Sequence, residues 1–177
     1  ATLIKTREGE WLGFQDYFVR LKCQPEIAEI ALLENRAIDG SKLVIQALQE
    51  ADLIVIAPSN PWVSIDPILA LGGVRDALQQ KLVVGVSPII QGSALKGPAA
   101  KMFSDFGIKP SARAVQQHYE GILDGFIFDN LDLQDAENWQ SSAIITEPFQ
   151  TIMKDDTDKI SLAKAVISLG ARLLQGR

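Results

Sequence analysis

Apolar and polar positions along the chain follow two periods. Unbroken apolar runs of strand length occur at Asp52–Ala57 ("DLIVIA"), Leu82–Val86, "GFIFD" centred on Phe126–Phe128, and "AIITEP". Runs this short and this apolar predict strands buried on both faces. Between them the spacing turns helical. Leu43, Val44, Ala47, Leu48 and Ala51 share one face behind Ser41, a residue suited to cap a helix after Gly40. Val74–Gln80 predicts a helix running on from near Pro67. "GPAAKMFSDFG" predicts one with proline in its first turn and Gly107 as its stop. "SARAVQQHYEGIL" and "DAENWQ" predict two more. A last helix from near Thr157 carries Ile160, Ala163, Val166, Ile167, Gly170, Leu173 and Leu174 as an apolar stripe. At the start, "TLIKT" and "WLGFQDYFV" predict strands about a turn at Glu8-Gly9-Glu10, and "EIAEIALL" a further strand.

Apolar strands alternating with amphipathic helices predict an α/β, Rossmann-like fold. The expected sheet is mostly parallel, with helices on both faces and a hairpin at an edge near the N-terminus. The 177 residues suit one domain with its own core. No internal repeat, low-complexity tract or linker interrupts them.

In such sheets ligands bind beyond the carboxyl ends of the strands. Three loops qualify. Asp52–Ala57 runs into Pro58-Ser59-Asn60-Pro61, with Ser64 beyond. Leu82–Val86 runs into Ser87-Pro88-Ile89 and on to Gly92, Lys96 and Gly97. Phe126–Phe128 runs into Asp129-Asn130. Serine hydroxyls and free backbone N–H groups are suitable donors to phosphate oxygens. Flanking prolines hold such donors in place before binding. Gly92 and Gly97 allow close backbone approach, and Lys96 adds a positive charge beside the next helix start. Plain turn chemistry explains the same prolines and serines, and Asp129 also fits a helix cap, so residue types leave both roles open. Neither a P-loop nor a G-x-G-x-x-G pattern is present.

Charge and composition narrow the classes. The formal net charge is −5, and no run of five Lys/Arg occurs, which argues against nucleic acid or an anionic membrane as partner. Cys23 is the single cysteine, so no internal disulfide framework or cysteine metal cluster forms, and a buried free thiol is expected. No apolar run reaches membrane-span length, and "ATLIKTREGEW" does not read as a secretory signal; the expected location is the cytoplasm. His118, the lone histidine, lies mid-helix and supports no Ser-His-Asp triad. "MKDDTDK" reads as the acidic start of the last helix. Trp62, inside the suspected site, suits either a flat ligand wall or a plug over the core.

The paired motifs "PSNPWVSIDPIL" and "GVSPIIQGSALKGPAAKM", with "GFQDYFV", "ADLIVIAPSNP" and "LDGFIFD", resemble the CofD family, the 2-phospho-L-lactate transferases of coenzyme F420 biosynthesis. The resemblance implies transfer of a phospholactyl or phosphoenolpyruvyl group from a guanosine diphosphate donor to the deazaflavin Fo, with GMP leaving and a magnesium ion required. It places the guanosine diphosphate part on Ser59–Pro61 and Ser87–Gly92, and makes a homodimer an expectation. It identifies no catalytic base. Family members are considerably longer, so residues 1–177 are expected to be the C-terminal portion of such a transferase, without the glycine-rich N-terminal segment to which metal and Fo contacts belong. Asp66 stands where the family usually has Gly, and Gly72-Gly73 where Pro-Gly is usual. Asp66 either places a negative charge near the phosphates or faces solvent. A nucleotide-sugar-binding regulatory protein related to the gluconeogenesis-factor-like proteins, and a non-catalytic scaffold, are the alternatives.

Overall fold

A computed structural model describes residues 2–32, 40–136, 139 and 143–176. The central element is a four-stranded parallel sheet in the order β4-β5-β8-β9, made of β4 (Ile54–Ile56), β5 (Val83–Val86), β8 (Gly125–Asp129) and β9 (Ile145–Phe149). Its register pairs Ile54 with Val83, Val84 with Gly125 and Gly125 with Ile145. All four predicted apolar runs therefore enter one sheet.

Alternation along these strands splits the core in two. Ile56, Val83, Phe126 and Phe128 face a cluster built with Leu69, Leu78, Phe103 and Val115. Val84, Val86 and Ile127 face Leu162, Val166 and Leu169. The first face is covered by α1 (Gly40–Glu50), α2 (Asp66–Leu69), α3 (Val74–Gln79), α4 (Ala99–Asp105), α5 (Ala112–His118) and α6 (Leu133–Ala136). Among the described residues the second face is covered by α7 (Asp156–Gln175) alone. Sequential strands stepping one way across a parallel sheet put right-handed crossovers on one side, which accounts for this asymmetry.

The N-terminal hairpin forms, but it does not extend the parallel sheet. β1 (Thr2–Thr6), β2 (Trp11–Gly13) and β3 (Ile27–Leu32) make a separate antiparallel sheet in the order β2-β1-β3. It packs Ile4, Leu12, Tyr17 and Ile27 against Met102 of α4, with Trp62 and Val63 at the seam. "WLGFQDYFV" is a strand only as far as Gly13. Its aromatic residues fall on both parities, and Asp16–Arg20 coils into a π-helical turn instead, with Arg20 Nε donating to Asp16 Oδ1 at 2.8 Å and Tyr17 buried beneath.

Other departures are local. The helix expected from Pro67 through Gln80 breaks into α2 and α3 at Gly73, whose φ of +81° is a left-handed conformation open to glycine. α1 begins at Gly40, so Ser41 lies inside it. "DAENWQ" contributes Asp135 and Ala136 to α6, and its remainder falls mostly outside the described residues. A short hairpin not expected from the sequence, β6 (Ile89–Ile90) and β7 (Ser93–Ala94), turns at Gln91-Gly92 with φ of +48° and +73°. Positive φ at both turn residues is what a tight two-residue hairpin requires. Asp155 caps α7 by accepting from Asp158 N at 3.0 Å, as "MKDDTDK" implied.

Candidate functional site

Because the four strands are parallel, the loops after β4, β5, β8 and β9 leave the same sheet edge. A cleft of about 550 Å³ opens there. Its size is in the range of small-molecule sites. Of the residues singled out in the sequence, Ser59, Asn60, Ser64, Ser87, Pro88, Lys96 and Gly97 line it. Pro61, Ile89, Gly92 and Asp129 do not.

Some of these side chains are committed to local structure and others are not. Asn60 is the cap of the helical turn Pro61–Ile65: its Oδ1 accepts from Trp62 N at 3.0 Å and Val63 N at 3.3 Å. Pro61 occupies the first helical position, where its missing N–H costs nothing. Ser87 Oγ donates to the Ile89 carbonyl at 2.8 Å and accepts from Ile89 N at 3.1 Å. Its proton is therefore spent inside the loop. Ser59 and Ser64 differ: their hydroxyls have no partner among the described residues, so both are available to a ligand. Lys96 forms no ion pair there either. Gly97, at φ +76°, has no neighbouring atoms where a side chain would project; conformation rather than space calls for glycine. Gly92 sits in the hairpin turn at φ +73° and does not line the cleft.

Asp129 is buried behind the cleft. Its Oδ1 accepts from Leu131 N at 3.0 Å, and its Oδ2 accepts from the Thr151 N–H and the Thr151 hydroxyl, each at 2.8 Å. It thus fixes Thr151, which does line the cleft. Thr151 and Met153 follow β9, and the strand-end rule applied to this fourth strand points to them. Phe14 and Phe18 form an aromatic wall, their rings stacked with centroids 5.6 Å apart at 19°. Reading "GFQDYFV" as a strand concealed them, because only the π-helical turn brings the two rings together.

Trp62 is a plug: it meets Phe103 edge-on at 4.3 Å and bridges the cluster on the first face of the parallel sheet to that of the N-terminal antiparallel sheet. Asp66 does not line the cleft and is not open to solvent. Its carboxylate takes His118 Nε2 at 2.9 and 3.0 Å, pinning α2 to α5. Cys23 is half-buried rather than fully buried, and burial pushes its thiol pKa up.

Among the described residues no carboxylate lines the cleft, and no group of three His, Cys, Asp or Glu could hold a metal ion. Magnesium is ordinarily held by carboxylates together with substrate phosphates. The lining residues alone do not fit such a site, and no chemical step is assigned through it. No helix among the described residues is long and apolar enough to cross a membrane.

The fold is that of an α/β protein with a cleft of small-molecule size at the carboxyl edge of its sheet. More specifically, residues 1–168 match the family model for 2-phospho-L-lactate transferase CofD, and the chain belongs to that family. It is 36% identical over 156 residues to the 2-phospho-L-lactate transferase of Methanocaldococcus jannaschii, covering 88% of this chain and 49% of that protein. Against the Methanosarcina mazei transferase it is 33% identical over 167 residues, covering 94% and 55%. The chain thus spans about half the length of these curated relatives. Among solved structures, a Bacillus halodurans protein of the UPF0052 family shares the fold. Its two crystal structures give TM-scores of 0.58 and 0.53 at 16% and 17% identity, covering 94% and 92% of this chain and 58% of that one.

Proposed function

We propose that this chain supplies the nucleotide-diphosphate part of a transferase site, in which a phospholactyl or phosphoenolpyruvyl group passes from a guanosine diphosphate donor to the deazaflavin Fo. The observation that carries the reading is the donor set of the cleft: the unpartnered hydroxyls of Ser59 and Ser64 and the unpaired Lys96, with no carboxylate among the lining residues to repel an anion. The names of the relatives support the transferase class. Phosphate oxygens accept from Ser59, Ser64 and Lys96, while the stacked Phe14–Phe18 pair offers a flat face to a planar ring.

In the transfer, the acceptor hydroxyl oxygen attacks the phosphorus carrying the lactyl or pyruvyl unit. The phosphorus–oxygen bond to GMP breaks, and GMP leaves with the electron pair. The lining residues contribute positioning and charge neutralisation, which dominate catalysis of such steps. They include no imidazole or carboxylate to take the hydroxyl proton. The chain by itself is therefore expected to bind GDP weakly and to release no GMP from a donor.

Calorimetric titration tests the reading. GDP is expected to bind, and S59A and K96A to weaken it, each hydrogen bond to a charged group contributing roughly 1.5–3 kcal/mol. Preference for a UDP-sugar over GDP would replace it with a nucleotide-sugar-binding regulatory function.

A further inference from the structure

The turn Pro61–Ile65 carries the cleft residue Ser64, and its own backbone holds it weakly. It is a single π-helical turn. Ser64 N and Ile65 N donate to the Asn60 carbonyl at 3.1 and 3.3 Å, and Asp66 N donates to the Pro61 carbonyl. Such wide turns are rare and occur mostly singly. α2 follows at once, but its second residue is Pro67, which has no N–H to carry the hydrogen-bond ladder across the junction. Ser64 thus stands between an isolated turn and a break in the ladder.

Side chains bridge that break. Trp62 and Asp66, on either side of Ser64, both meet His118 of α5, while Ser64 lines the cleft. The His118 ring stands edge-on to Trp62 at 5.2 Å and 76°, and to Tyr119 at 5.1 Å and 89°. His118 Nε2 donates to Asp66 Oδ1 at 2.9 Å and to Oδ2 at 3.0 Å. Each side chain of the pair is only 19% exposed, and burial strengthens a hydrogen bond to a carboxylate. α5 is a fixed post for this contact. Its Ala112, Ala114 and Val115 are buried in the cluster that contains Phe126 and Phe128 of β8. One imidazole therefore ties the cleft turn to the core of the parallel sheet.

We propose that Asp66 and His118 are positioning residues for the cleft. They clamp the turn so that the Ser64 hydroxyl is already placed where a phosphate oxygen of the nucleotide accepts from it. Neither residue lines the cleft, so both act through the turn. A turn without the clamp has to be ordered when the ligand arrives, and that ordering weakens binding. The nature of the ligand rests on the function proposed above; the clamp itself does not.

Amide hydrogen exchange followed by NMR tests the clamp without nucleotide. In H118A and in D66A, exchange at Val63, Ser64 and Ile65 is expected to speed up roughly tenfold. The Thr151 N–H, held by Asp129 elsewhere on the cleft, and the Phe126 N–H in β8 keep their parent rates. D66N, which preserves the shape and one acceptor, falls between. H118Q, which keeps an N–H donor at the end of the side chain, is expected to restore slow exchange in the turn. Parent-like exchange in H118A and D66A overturns the proposal. So does acceleration that spreads equally to Thr151 and Phe126, which assigns the pair to overall stability. Calorimetry with GDP tests the positioning. H118A is expected to weaken GDP about tenfold in the parent and less than about twofold in an S64A background, because the clamp acts through Ser64. An equal loss in both backgrounds overturns the positioning role. Absence of GDP binding by the parent, with the exchange pattern as expected, overturns the ligand assignment and not the clamp.

Discussion

Replacing Asp129 by asparagine keeps the shape of the side chain and removes one acceptor. In the parent the carboxylate accepts from three donors, Leu131 N, Thr151 N and the Thr151 hydroxyl. A carboxamide has one oxygen, so in either orientation its NH2 opposes a backbone N–H. One charge-assisted hydrogen bond is lost outright and the survivors become neutral, for a total of about 2–4 kcal/mol. In a domain of this length that lowers Tm by roughly 5–15 °C. Urea denaturation followed by circular dichroism measures it. Thr151 also loses its anchor on the cleft wall, so D129N is expected to weaken GDP binding without touching the ligand. T151V removes only the hydroxyl of the same network, and the double variant should fall short of additivity by at least about 1 kcal/mol. A D129N protein within about 0.5 kcal/mol of the parent, or additive with T151V, would refute the assignment of Asp129 as the positioning residue for Thr151.

Three further outcomes are expected. The Tyr119 hydroxyl is buried with no partner among the described residues, so Y119F is expected to be neutral or to stabilise by up to about 1 kcal/mol in the same urea assay; a loss above that would reveal a bond. Burial raises the Asp132 carboxyl pKa, the neighbouring Asp135 and Asp129 add to the rise, and the Gln91 N–H partly offsets it. The folded protein thus binds this proton more tightly than the unfolded chain, and the charge costs stability above the ordinary carboxylate range. D132N should be more stable than the parent near neutral pH, with the gap closing as pH falls toward about 4; a gap independent of pH would contradict this. Cys23 is raised chiefly by burial, against the lowering influence of Lys101, so its reaction with a disulfide reagent should lag that of the unfolded chain near neutral pH and accelerate as pH rises; equal rates would count against it.

Much of the fold was legible along the chain. Four apolar runs, "DLIVIA", "KLVVGV", "GFIFD" and "AIITEP", all entered one parallel sheet, but only the two central strands β5 and β8 are buried on both faces as expected, while β4 and β9 lie half-exposed at its edges. Its strand ends then located Ser59, Ser64, Ser87 and Lys96 on one cleft, because parallel strands leave their loops on a common edge. Local pattern failed where backbone conformation, not periodicity, decided the outcome. The turn at Asp16–Arg20 converts an expected strand into the platform that stacks Phe14 on Phe18.

Sequence by itself determined most element types, the parallel sheet and the family, since these follow from periodicity, turn chemistry and motif. Tertiary structure alone decided which side chains are spent and which are free. Asp66 and His118 lie 52 positions apart, Asp129 and Thr151 22, and nothing local announces either pair. It alone decided, too, that the stripe on α7 divides between sheet and solvent, because coverage depends on how many strands one helix can span. Hydrogen bonding and burial join residues through space, and only the folded chain says which are near.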